Sequence, residues 1–157
     1  VEQGLLLAGI DVLSLANNHV GDWGQRALRQ TVRRVRAMGI APVGAGADLA
    51  RARRPVVVTV AGVRIGVIAT DSIGESPAAG PDRPGTNRLN MPPRTGPLDR
   101  AALRRILGDV RAGADLVVGG HPHWVQGVQV VQAVSRRLFV VQSLGNLIFD
   151  MDLMQRT

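Results

Sequence analysis

The sequence predicts an α/β (α+β) fold, and three observations carry that prediction. Short apolar runs of strand length alternate with stretches of helical periodicity, and glycine or proline punctuates most junctions. Two segments also repeat one helix-to-strand pattern. In Ala8-Gly9-Ile10-Asp11-Val12 and in Ala112-Gly113-Ala114-Asp115-Leu116, a glycine suited to the left-handed end of a helix precedes an aspartate and a buried run. Both lead at the same offset to a histidine, His19 in one and His123 in the other. Ligand sites of open α/β sheets lie beyond the carboxyl ends of strands, so two such units can aim their histidines at one place.

Taken in order, Glu2 to Ala8 reads as a helix end, with Gly9 as its stop and Ile10 to Ala16 as a buried strand. Asn17 to Asp22 is a polar loop, with Asp22 placed to cap a helix from Trp23 to Met38. Trp23, Ala27, Leu28, Val32, Val35 and Met38 recur at helical spacing there, and arginines take much of the rest as a solvated face. Gly39 ends the helix, Ile40 to Val43 is a short strand, and Gly44-Ala45-Gly46 reads as a simple turn, since a lone Gly-x-Gly is weak evidence for phosphate binding. Asp48 to Arg54 is a helical turn closed by Pro55. Val56 to Val60 and Val63 to Ala69, joined by Ala61-Gly62, form a β-hairpin.

Periodicity disappears from Asp71 to Pro97, a Pro/Gly-rich loop of the length that marks either a functional excursion over a site or an insertion. Asp99 then caps a helix with the stripe Ala102, Leu103, Ile106, Leu107 and Val110. Asp115 to Gly119 is a strand, and Val128 to Val134 with Leu138 to Val141 form a second hairpin. The chain ends through the small-and-polar loop Ser143-Leu144-Gly145-Asn146.

With 157 residues, 45% of them hydrophobic, the chain has the size of one domain with a core. It contains no apolar run of membrane-spanning length. It begins at Val1 and runs at once into helical sequence, which reads as a piece of a longer protein. The absence of cysteine excludes disulfides, thiolate zinc sites and thiol nucleophiles. The net charge of +7 suggests polyanions, yet every basic side chain is arginine and aromatics make up only 3%. That usage is the mark of a GC-rich genome, and it supplies few stacking platforms, so it argues against a nucleic-acid partner.

The chemistry concentrates at two places. Gly119-Gly120-His121-Pro122-His123 holds two imidazoles on a short segment that proline keeps out of the helical region. Asn17-Asn18-His19 adds amide oxygen and a third imidazole after a similar strand. Imidazole with amide and carboxylate oxygen suits Mn, Fe, Zn, Ni or Co better than Ca or Mg, and favours a catalytic site with open positions over a structural one.

Leu15-Ala16-Asn17-Asn18-His19 with Asp22 and Gly24, then Gly39-Ile40, Gly44-Ala45-Gly46, Ala112 to Gly119, His121-Pro122-His123 and Ser143-Leu144-Gly145-Asn146 follow one another as in the CapA family. The sequence resembles that family over nearly its whole length. The resemblance implies a link to poly-γ-glutamate capsule synthesis and a calcineurin-like metallophosphatase fold, a four-layer α/β/β/α sandwich with mixed sheets. It implies metal ligation by Asn18, His121 and His123, with His19 as general acid or transition-state donor. Asn17, Asp22 and Asn146 become loop-fixing or supporting groups. Two divalent ions of the Mn, Fe or Zn class would then clamp a phosphate-like centre and activate water.

The implied partners are a phosphoester or anionic polymer substrate and a capsule-synthesis complex, with the full-length protein extracytoplasmic or membrane-associated. The family's early Gly-Asp segment and a strand ending in a His-Trp-Gly-type motif have no counterpart here, so residues 1–157 are expected to form one partial domain. A non-catalytic binding or assembly module with a degenerate site is the alternative.

Overall fold

The computed structural model describes residues 2–111, 116–118, 128–133 and 136–141. Its class is the mixed α/β one expected. α1 (Glu2–Leu7) leads to β1 (Val12–Ser14), which pairs in parallel with β2 (Ala41–Val43), Val12 opposite Ala41 and Ser14 opposite Val43. The crossover between them is α2 (Gly24–Ala37), the connection that parallel strands require. Leu28, Val32 and Val35 give α2 its buried stripe, each side chain contributing roughly 1.5–3 kcal/mol by leaving water. Leu28 and Val32 pack with Leu15 and Ala45, and Leu13 and Val20 close the cluster.

Trp23 departs from the periodic reading. It is the residue before α2, and its side chain is 89% exposed. The helical stripe therefore begins one turn later, because the backbone from Gly21 to Gly24 turns outside the helix.

Gly44-Ala45-Gly46 is more than a turn. β3 (Ala45–Gly46) pairs antiparallel with β6 (Gly85–Thr86), so a strand contact ties this segment to the middle of the Pro/Gly-rich loop. Gly44 has φ +84, and a Cβ there would stand 2.6 Å from the Ala16 Cβ and 2.8 Å from the Ala69 Cβ. Ala16, Val43 and Ala69 are buried together at this junction, with Val12, Val56 and Val67 packed around them.

Asp48 caps α3 (Leu49–Arg53), its side chain accepting the Arg51 N–H. β4 (Val56–Val60) and β5 (Val63–Val67) then form the expected hairpin, and both turn residues have positive φ, 49° at Ala61 and 82° at Gly62. That backbone twist matches the twist of the strands. α4 (Arg100–Arg111) is capped by Asp99, whose carboxylate accepts the Ala102 N–H at 2.8 Å, and it buries Ala102 and Ile106 against Leu89. β5 also pairs in parallel with β7 (Leu116–Val118), and β7 with β9 (Arg136–Val141), which β8 (Val128–Ala133) flanks antiparallel. The order β4-β5-β7-β9-β8 is a mixed sheet with parallel strands at its centre and a hairpin at each edge. The other two sheets among the described residues have two strands each. No helix among the described residues is long and apolar enough to cross a membrane.

The stretch from Asp71 to Pro97 is ordered by buried polar groups. Asp71 is 2% exposed; its carboxylate accepts from the Ile73 and Gly74 N–H groups and from the Thr86 hydroxyl, and it forms an ion pair with Arg88 at 3.3 Å. Asn87 donates its side-chain amide to the Ala69 carbonyl at 3.0 Å, and its backbone N–H to the Gly44 carbonyl at 2.8 Å. A buried carboxylate survives only with such partners, and here they replace the ladder that the segment mostly lacks.

Candidate functional site

The segment Asn17 to Asp22 leaves the carboxyl end of β1 and cannot continue the sheet, so its polar groups bond to one another. The Asn17 side-chain oxygen accepts the His19 N–H at 2.9 Å, an Asx turn that places Asn18 at the loop's apex. Asp22 does not cap α2, since Trp23 holds the capping position and no side chain bonds to the first turn there. Its Oδ2 lies instead 3.0 Å from His19 Nδ1. A histidine three residues away competes for the carboxylate, and the nearby glycines let the loop turn back far enough for it to win.

These contacts fix the tautomer of His19. A carboxylate only accepts, so Nδ1 carries the proton given to Asp22. The Asn18 Nδ2 stands 3.0 Å from His19 Nε2 and 2.8 Å from Glu75 Oε2. Glu75 can only accept, which makes that Asn18 atom the amide nitrogen and leaves His19 Nε2 as the acceptor of its second hydrogen. Both Asn18 N–H bonds are thereby committed. Its amide oxygen has no hydrogen-bond donor among the described residues.

Glu75 has no counterpart among the residues singled out from sequence. It arrives from the Pro/Gly-rich segment, pairs on its other oxygen with Arg94 at 3.5 Å, and is followed by Ser76, whose hydroxyl accepts the Gly21 N–H at 3.1 Å. The excursion thus crosses the loop that carries Asn18 and His19. The only trace of this in the sequence is an acidic residue inside a Pro/Gly-rich stretch, too common a feature to mark a site.

The structure brings Asn17, Asn18, His19 and Asp22 together. His121, His123 and Asn146 lie outside the described residues. Among the described residues, no three of His, Asp and Glu gather closely enough to hold a metal ion. What the Asn18 loop offers a metal is one well-held neutral oxygen, a fit for one ligand of a larger set.

A family model described as bacterial capsule synthesis protein PGA_cap matches residues 3–112 and 99–151. Together the two matches cover most of the chain. The chain is similar to the capsule biosynthesis protein CapA of Bacillus anthracis, 28% identical over 172 aligned positions that cover 91% of this chain and 41% of that protein. It is also 42% identical over 115 residues to a probable polyglutamine synthesis accessory protein of Mycobacterium tuberculosis, across 70% of this chain and 30% of the relative. The chain therefore spans less than half the length of these relatives. Among solved structures, a 5'-nucleotidase precursor from Thermus thermophilus aligns over 92% of this chain and 35% of its own, with TM-score 0.46 and 17% identity.

Proposed function

The chain belongs to the PGA_cap family of bacterial capsule synthesis proteins, and we propose that it serves capsule or poly-γ-glutamate synthesis through a metal-dependent hydrolase site of the phosphoesterase type. The observation that supports this most is the commitment of both Asn18 N–H bonds, to Glu75 and to His19, which leaves the amide oxygen for a ligand. Asn18, His121 and His123 would hold one or two ions of the Mn, Fe or Zn class. An ion held there supplies Lewis acidity toward a phosphate-like centre.

The remaining work falls to His19 and Asp22. In the present tautomer His19 Nε2 accepts a hydrogen bond, so it is ready to take a proton rather than to give one. When a substrate oxygen displaces the Asn18 N–H, Nε2 can take up a proton from solvent and pass it to the oxygen of the leaving group, returning to the neutral ring, while Asp22 steadies the ring and balances the imidazolium charge. The substrate class is a phosphoester or an anionic polymer.

The test is hydrolysis of p-nitrophenyl phosphate with added Mn²⁺, beside calorimetric metal binding. His19→Ala should lose about 10²-fold or more of the rate and keep the metal. Unchanged hydrolysis in His19→Ala would overturn the assignment. The second reading, a non-catalytic assembly module, is favoured by the exposed arginines of α2, and it predicts no hydrolysis by the wild-type chain together with salt-sensitive binding to polyglutamate.

A further inference from the structure

Away from the Asn18 loop, a cleft of about 270 Å³ is lined by Arg36, Ala41, Pro42, Arg51, Arg54 and Val56. It lies at the edge where β1 and β2 begin, since Ala41 is the first residue of β2 and pairs with Val12, whereas the Asn17 to Asp22 loop follows the end of β1. The two places therefore occupy opposite rims of the same parallel pair. Three arginines from different positions line this cleft. Arg36 comes from the last turn of α2, Arg51 from α3 and Arg54 from the residue that ends α3.

A basic residue at a helix end is in itself ordinary, because it complements the helix dipole. That accounts for each arginine alone and leaves unexplained why three of them line one cleft, since like charges that share a cleft repel. The neutralising groups are few. Asp48 pairs with Arg51, and Arg36 and Arg54 have no ion-pair partner among the described residues. The remaining wall, Ala41 and Pro42 on β2 and Val56 on β4, is apolar and lies on strands, so the arginines line a fixed floor.

We propose that this cleft is an oxyanion-binding site, built for a phosphate group or for neighbouring carboxylates, and separate from the Asn18–His19 site. A planar guanidinium forms paired hydrogen bonds to either kind of oxyanion. With Arg51 paired to Asp48, Arg36 and Arg54 still balance two negative charges, which singles out multiply charged ligands over chloride. The inference does not depend on the hydrolase reading, because no residue is shared between the two places.

Calorimetric titration of the purified protein at low salt tests it, with inorganic phosphate in one arm and citrate in the other. Saturable binding of at least one is expected, and the arm that binds more tightly identifies phosphoryl or carboxylate chemistry as the preferred source. The double variant R36Q/R54Q should weaken binding about tenfold or more, since charged hydrogen bonds are lost. Arg29→Gln, an exposed change on α2 outside the cleft, should leave it unaltered. Circular dichroism matching wild type assigns the loss in R36Q/R54Q to the cleft and not to unfolding, and a double variant that unfolds is replaced by Arg54→Gln alone, with the same direction expected. Absence of binding in both arms, or an equal loss in Arg29→Gln, would overturn the proposal by reducing the cleft to diffuse surface charge.

Discussion

Asn18 and Glu75, 57 positions apart in the chain, are joined by a 2.8 Å hydrogen bond from the amide nitrogen to the carboxylate. The bond locks the loop after β1 to the Pro/Gly-rich excursion and sets which atom of Asn18 has no donor among the described residues. Because the pair is exposed, it adds little to stability. Its consequence is orientation, and its removal should be felt in ligand binding.

Glu75→Ala should therefore weaken binding of Mn²⁺ or Zn²⁺ by about 10–100-fold, the usual cost of losing a group that orients a ligand, with little change in unfolding midpoint. Glu75→Gln can still accept through its amide oxygen and should keep most of the affinity. Calorimetry on the two variants distinguishes this from a general charge effect, in which the Gln and Ala forms would fall together.

Asp71 should carry stability in the same segment. It is buried, ion-paired with the partly exposed Arg88 and hydrogen-bonded by Thr86 and two backbone N–H groups, so Asp71→Ala leaves those donors without their acceptor and should cost about 1–3 kcal/mol. Urea unfolding measures the loss, and limited proteolysis should show cleavage moving into residues 71–97. Wild-type resistance in the variant would mean that the backbone pairing of β3 with β6 suffices to hold the excursion.

At Gly44 a side chain faces both a left-handed backbone and the packed Ala16 and Ala69 methyl groups. Gly44→Ala should destabilise by about 2–5 kcal/mol, the overpacking and the strained φ together. A loss below about 0.5 kcal/mol, no more than an ordinary surface change, would show that the junction of β2 and β3 can shift to make room.

Asp48 titrates below its ordinary value of 3.8, chiefly because the Arg51 backbone N–H bonds to the charged carboxylate, with the Arg51 side chain adding to this and desolvation opposing it. A depressed carboxyl pKa in the folded chain means that its stabilising effect is full above the unfolded value and fades as pH falls through the folded one. The first turn of α3 should thus hold at neutral pH and loosen only below about pH 3.8. Carbon-detected NMR titration of the carboxyl reads this directly, and a midpoint at or above 3.8 would contradict it.

Much of the framework is legible in the residues themselves. The α2 stripe of Leu28, Val32 and Val35, the Ala61-Gly62 turn and the Asp99 cap each depend on neighbours within a few positions, so local pattern reveals them. The contacts that assemble the candidate site are of another kind. Glu75 to Asn18 and Ser76 to Gly21 span more than fifty positions, and β3 to β6 is a two-residue strand with no alternation to betray it. Trp23 and Asp22 misled for a related reason. Helical spacing and capping chemistry both suited them, and His19 claimed the Asp22 carboxylate.

The most direct test of the account is a calorimetric titration with Mn²⁺ and Zn²⁺ of the wild-type protein, Asn18→Ala, His19→Ala and the double variant H121A/H123A. Saturable binding by the wild type, its loss in Asn18→Ala and in the double variant, and its survival in His19→Ala are the predicted results. Failure of the wild type to bind either ion, or full affinity in Asn18→Ala, would contradict the claim that the Asn18 amide oxygen is held for a metal.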